Sequence, residues 1–190
     1  MHLQPPFTPH ESLQVLQSMS GSLSLVDRWM LSQVSYAVSE CNAAFQEFNF
    51  PRATTALYNL WWYQICDVYL ECIKPVMQGS DAAAKTLTQN VLYTSLHTGL
   101  LLISPFMPFL SEELFQRLPR RAGDRAPSVC VAPYPENEQF AMFSDASSEE
   151  KFKYGQKVIG EIRSAKAKYD IPHKTKIELS LQAESQDLRA

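Results

Sequence analysis

From Val26 onward the apolar residues return every three or four positions: Val26, Trp29, Met30, Val34, Ala37, Val38, Cys41, Phe45 and Phe48. That period lays one apolar stripe along a helix and predicts an amphipathic helix over 24–48, about 36 Å long at 1.5 Å per residue. Ser24-Leu25-Val26-Asp27 has the form of a capping box, in which the hydroxyl accepts from a free amide and the acid reaches back to the cap. Asn49-Phe50-Pro51 breaks the pattern and restarts it, with Pro51 in a first turn where its missing donor is not needed. The next helix, 51–74, is apolar over more of its circumference (Ala53, Ala56, Leu57, Leu60, Trp61, Ile65, Val68, Tyr69, Cys72), which predicts a central place in a bundle. Pro75 ends or kinks it, and Gly79-Ser80-Asp81 supplies a turn and a new cap. A third helix over 81–103 turns Leu87, Val91, Leu92, Leu96, Leu100 and Ile103 inward. Ser104-Pro105 closes it, since the residue before proline avoids helical geometry. Pro108 opens a short fourth helix with Phe109, Leu110, Leu114, Phe115 and Leu118.

Beyond it the period is lost. Residues 119–147 hold four prolines and read as a strap, with Ser128 to Ala132 a short extended piece. Ser147-Ser148-Glu149-Glu150 offers a second capping box, and a helix runs on to Tyr169 along Phe152, Gly155, Val158, Ile159, Ile162, Ala165 and Tyr169. Lys176 to Leu181 then alternates strictly, the mark of a half-buried strand. A lone strand is not stable without partners, so the chain is expected to stop inside a structural unit. The expected fold is therefore mainly α: a flexible lead-in over 1–22, an antiparallel helical bundle over 23–118, the Pro-rich strap over 119–147, a basic helix and strand over 148–182 that begin a small α/β appendage, and a frayed tail over 183–190.

Composition narrows the function classes. The 190 residues are 45% hydrophobic with a formal net charge of −3, which suits one domain or a domain with an appendage and excludes a globally basic nucleic-acid binder. The mild total hides a separation. Residues 1–148 carry 8 Lys and Arg against 13 Asp and Glu, whereas 151–179 carry eight bases (Lys151, Lys153, Lys157, Arg163, Lys166, Lys168, Lys174, Lys176) and three acids. No run approaches the roughly 20 apolar residues of a membrane span, and the N-terminus lacks the basic start and apolar run of a secretory signal. Cys41, Cys66, Cys72 and Cys130 lack metal-ligand spacing and are expected to be buried free thiols of a reducing compartment. Phosphate-binding glycine loops, nucleophile elbows and metalloprotease signatures are absent, and the four histidines are scattered, so no catalytic centre is expected.

Three features remain as candidates. On a regular helix Asp67 and Glu71 stack one turn apart with Lys74 in reach of Glu71, either an acid/base pair, a patch for arginine, or an ordinary helix surface beside core aromatics. Ser104 to Leu114 is a double-proline corner whose Glu112 and Glu113 would complement the helix dipole. The basic stretch 151–176 could track a phosphate backbone or be a solvated face.

Taken in order, Val26 to Ser32, Leu60 to Pro75 and Ser104 to Pro119 resemble the tRNA anticodon-binding helical bundle of class I aminoacyl-tRNA synthetases for branched aliphatic amino acids, most closely the eukaryotic valyl type. Ser128 to Pro135 and the basic helix Ile162 to Pro172 are similar to the family's next segments, so the likeness spans about 23–182. It implies a domain that positions tRNA(Val) by its anticodon arm for ATP-dependent aminoacylation in a cytoplasmic enzyme. ATP and magnesium would belong to the parent's catalytic domain, which would be the second partner; neither membrane nor DNA is expected. The H-I-G-H and K-M-S-K-S signatures of adenylation are absent from these residues, so no cofactor and no catalytic residue are expected on this chain, and none of its residues as a metal ligand. By physical role Arg163, Lys166 and Lys168 are assigned to phosphate contacts. Lys166 stands where the family commonly has arginine, which keeps the charge and loses the planar two-pronged donor. Asp67, Glu71 and Lys74 match the family motif without an assigned role. Trp29, Trp61, Trp62, Tyr69, Phe106 and Phe109 are expected to form the core. An isoleucyl or leucyl relative, a helical protein-interaction module without RNA, and a small helical enzyme are the alternatives.

Overall fold

The computed structural model describes residues 7–10, 12–172, 175–178 and 180. Its helices are α1 (Leu13–Ser18), α2 (Leu25–Gln46), α3 (Phe50–Tyr58), α4 (Leu70–Cys72), α5 (Lys74–Gln78), α6 (Ala82–Ile103), α7 (Pro108–Arg117), α8 (Asn137–Phe140) and α9 (Ala146–Lys168). Between α3 and α4 the chain winds as a π-helix, Asn59–Tyr69. The chain divides into two compact units, Met1–Phe152 and Lys153–Ala190.

In the first unit α2 is the hub, packed against α3, the π segment, α6 and α8. Its apolar period holds as expected: Met30, Leu31, Val34, Val38 and Cys41 are buried with Leu57, Leu60, Ile65 and Tyr69 on one side and Val91, Leu92 and Leu102 on the other. Phe48 departs from the expected stripe. The helix stops at Gln46, and Phe48 takes a left-handed φ of 55° and is 80% exposed. Asn49 then caps α3 by accepting from the Arg52 amide at 3.2 Å. The expected central place of the 51–74 helix belongs instead to α6, which buries residues around most of its girth, including Thr88, Asn90, Thr94, Ser95 and Thr98. Gly99 permits close approach there, since a β-carbon would lie 2.9 Å from the Trp61 ring.

The π winding explains why the second helix differs from its expected pattern. With hydrogen bonds from i to i+5 the inward positions fall at Leu60, Ile65 and Tyr69, steps of five and four residues rather than the three and four of an α-helix. Trp62, expected in the core, is turned out and is 55% exposed. Phe109 is also not a core residue: it sits in the first turn of α7 and is 91% exposed, while Phe106 stacks on Phe45 at 5.7 Å. Trp29 is buried, and Trp61 packs half-buried against the core. Of the four free cysteines Cys41 is buried, its thiol pushed up to about 11 by burial, and Cys66, Cys72 and Cys130 are exposed.

The lead-in is partly structured, since α1 places Leu16 in the core. Ser128 to Ala132 is a 3₁₀ turn rather than an extended piece. Glu112, expected to serve the dipole of α7, lies past its first turn and holds this turn instead, accepting from the Val129 amide at 2.7 Å and the Ser128 hydroxyl at 2.9 Å.

The second unit comprises the remainder of α9 and the residues C-terminal to it. Among the described residues no strand occurs, so the expected α/β appendage is not seen. Lys176 to Glu178 and Ser180 are irregular, and Leu179 and Leu181 lie outside the described residues. A period-two pattern becomes a strand only where a neighbouring strand takes its backbone bonds. Asp170, at a φ of 52°, turns the chain at the end of α9, with the Ile171 amide donating to the Lys166 carbonyl at 2.9 Å.

Asp27 ties the first unit together. The Ser24 hydroxyl accepts from the Asp27 amide at 3.1 Å and donates to its carboxylate at 2.7 Å. Thr88 of α6 donates to the same oxygen at 3.2 Å, and Tyr69 of the π segment donates to the other at 2.6 Å. Burial, then the neighbouring carboxylate, push the Tyr69 phenol well above its ordinary value, so it stays a proton donor. Removing the acceptor strands these donors in a dry interior. Asp27→Ala is expected to lower the unfolding free energy by about 3–5 kcal/mol and Tyr69→Phe by about 1–3 kcal/mol, read from urea denaturation.

Candidate functional site

The two residues after Asp27 fix the start of α9. Arg28 donates from Nε to the Ser148 hydroxyl at 3.1 Å and lies 3.6 Å from the Asp145 carboxylate. Trp29 stacks on Phe152 at 4.0 Å, and one turn on, Ser32 donates to Glu149 at 2.6 Å. The cap of α9 is Asp145, which accepts from the Ser148 amide at 2.9 Å, not the expected Ser147. Hydrogen bonds from Ser148, and then Arg28, hold the Asp145 carboxyl below its usual value.

Within the second unit the three expected phosphate contacts do not share one face. At about 100° per residue, Arg163 and Lys166 point well over 100° away from Lys168. Lys168 instead shares an exposed face with Lys153 and Lys157, separated by Gly160 and Ser164, which are exposed as well. Lys166 lies on the half-buried side with Val158 and Ile162, and its ammonium donates to the Thr175 carbonyl at 2.6 Å. Arg163 is exposed. Sequence reasoning missed Lys153 and Lys157 as partners of Lys168, although steps of four and eleven residues along one helix are the signal for them.

In the first unit Lys74 pairs with Glu71 as expected, on the surface. Asp67 is exposed and has no hydrogen bond or ion pair among the described residues, so it takes no part in that pair. Tyr58, Trp62 and Tyr63 form an exposed aromatic group: Tyr58 stacks parallel to Trp62 at 6.2 Å and meets Tyr63 edge-on at 5.6 Å.

A second group that sequence reasoning missed is buried and polar. His97 of α6 stacks on Tyr93 and lies beside Phe115 at 5.6 Å each, on the rim of a cavity of about 250 Å³ lined also by Leu13, Leu101, Arg121 and Asp124. Arg121 donates to the Thr94 hydroxyl at 2.9 Å, and its guanidinium lies over the Tyr93 ring at 5.2 Å. Arg120 reaches Asp124 at 3.4 Å and lies over Phe115. These contacts pin the start of the strap to α6. The Arg-Arg-Ala-Gly-Asp run at 120–124 was the only hint of it.

A model of the anticodon-binding domain of tRNA ligases matches residues 27–181. The valine–tRNA ligase of Homo sapiens is 47% identical over 151 residues, covering 80% of this chain and 12% of that protein. The enzyme of Caenorhabditis elegans is 42% identical over 166 residues, covering 86% of this chain and 16% of its own length. The mitochondrial valine–tRNA ligase of Mus musculus is 38% identical over 166 residues, covering 87% and 15%. The chain thus spans roughly an eighth to a sixth of the length of these curated relatives.

The buried group makes a pH prediction. Burial, and then the Arg121 charge, lower the His97 value from 6.5 to about 4, so the folded protein holds it neutral. The unfolded chain binds a proton near pH 6.5, so this stabilisation is complete above 6.5 and is lost as pH falls toward 4. His10 is lowered by burial and Arg121 in the same sense. The melting temperature is expected to drop between pH 7.5 and 5, and His97→Gln to flatten that slope without abolishing it.

Proposed function

The chain belongs to the anticodon-binding domain family of tRNA ligases, in its valine branch, and from that premise we propose that it binds the anticodon arm of tRNA(Val) and positions it for aminoacylation carried out elsewhere in a longer protein. The observation that supports this most is the exposed basic face of α9, Lys153, Lys157 and Lys168, on a chain otherwise acidic. Phosphate contacts from such a face release counterions and do not read sequence. Arg163 adds charge on another side of the helix, and Lys166 adds charge while it braces Thr175. ATP and magnesium remain with the catalytic part of the longer protein, our proposed second partner. Exposed Met107, Phe109 and Leu110 at the start of α7 are apolar surface suited to a protein neighbour. Higher identity to the relatives named without a compartment, 47% against 38%, supports a cytoplasmic site.

Binding of a valine-anticodon stem-loop by the 190-residue chain tests this reading. Log K is expected to fall linearly with log salt, and the triple variant K153A/K157A/K168A to flatten that slope by about 2, at roughly 0.7 per phosphate contact. Arg163→Ala and Lys166→Ala are each expected to flatten it by no more than about 0.7. Binding indifferent to salt, or equal for a shuffled loop, sinks the proposal.

A further inference from the structure

We propose that Tyr58, Trp62 and Tyr63 form a stacking platform for unpaired RNA bases, with Asp67 placed to accept from the amino edge of a stacked base. This rests on the RNA-binding reading above and assigns base contact to a surface separate from the lysine face. The three residues are 54%, 55% and 52% exposed, and their rings lie against one another. They are held by each other: Tyr58 meets both Trp62, four residues on, and Tyr63, five residues on. An α-helix puts the i+4 residue beside i and turns i+5 away; the winding of Asn59–Tyr69 gathers both on one face. The inward side of the same segment is filled by Leu60, Ile65 and Tyr69, so the outward rings are not needed by the core.

Charge selects the occupant. Residues 1–148 carry five more acids than bases, and the cations nearest in sequence are engaged, Arg52 with Glu40 and Glu47 and Lys74 with Glu71. A phosphate is repelled from such a surface, whereas the face of a base is uncharged and stacks on aromatic rings whatever its identity. Asp67 comes one i→i+5 turn after Trp62, is exposed, and has no hydrogen bond or ion pair among the described residues. An ionised carboxylate is acceptor-only, which matches the exocyclic amino groups that splayed-out bases present.

The test uses the full 190-residue chain, a valine-anticodon stem-loop and the same stem-loop with an abasic loop. Trp62→Ala is expected to weaken binding of the intact loop roughly 5- to 100-fold, with Trp62→Phe recovering most of the loss and the salt slope unchanged. Both proteins should bind the abasic loop alike, and the intact loop should quench tryptophan fluorescence in the wild type but much less in Trp62→Ala. Asp67→Asn is expected to change the ranking of loops whose bases do or do not carry an amino group, at an unaltered melting temperature. An intact-loop affinity unchanged by Trp62→Ala, or an equal loss on the abasic loop, overturns the platform, including the case in which these rings serve a protein partner. If lysine-dependent binding persists in that event, only the platform falls; if the wild type binds neither RNA, both readings fall.

Discussion

The first unit depends on one buried carboxylate. Asp27 is 3% exposed and takes donors from the cap of its own helix, from the π segment and from α6, so a single side chain sets the relative places of three elements. An acceptor in a dry interior must be fully matched, and that demand fixes the rotation of each helix about its axis more sharply than apolar contacts alone. Arg28 and Trp29 carry the same logic outward: the guanidinium holds Ser148 and Asp145, and the indole covers Phe152. Asp-Arg-Trp is thus three consecutive side chains pointing to three different neighbours, which one helical turn permits.

Much of this fold could be read from apolar spacing. α2 and α6 begin and end within two residues of the expected bounds, and Ser24 and Asp81 cap as their side chains suggest. What escaped were departures from the α period. The gathering of Tyr58, Trp62 and Tyr63 on one face is such a departure, since the i→i+5 winding brings Tyr63 round to Tyr58, whereas Trp62 falls opposite Leu60 on either winding. Nothing local in Asn59–Tyr69 announces that winding, because it answers to tertiary demand: Tyr69 must reach Asp27 while Leu60 stays in the core. Phe109 failed for a simpler reason. Hydrophobicity alone does not bury a side chain: the first turn of a short helix after a proline corner has a side with no neighbour, and exposed apolar residues are common.

The site was legible as charge and less so as geometry. The sequence separates an acidic stretch from a basic one, but which lysines share a face depends on an uninterrupted helix through Lys168, and that helix sets Lys153 and Lys157 on the face of Lys168 and Lys166 on another side. The family motif drew attention to Asp67, Glu71 and Lys74 as a set. In the structure Glu71 and Lys74 form a surface ion pair, and Asp67 is an exposed carboxylate outside it.

The two surfaces proposed for RNA would act through forces of different range. Lysine attraction to phosphate extends about 8–10 Å at ordinary ionic strength and weakens steadily with added salt. Ring stacking acts only on contact and is nearly blind to salt, and the acidity of the first unit opposes the backbone while leaving bases acceptable. On these proposals the basic helix would capture RNA without regard to sequence, and discrimination would arise only where a loop presents unstacked bases. A duplex would offer phosphates to the first surface and nothing to the second, so discrimination between loop and stem would come from the chemistry of the two faces alone.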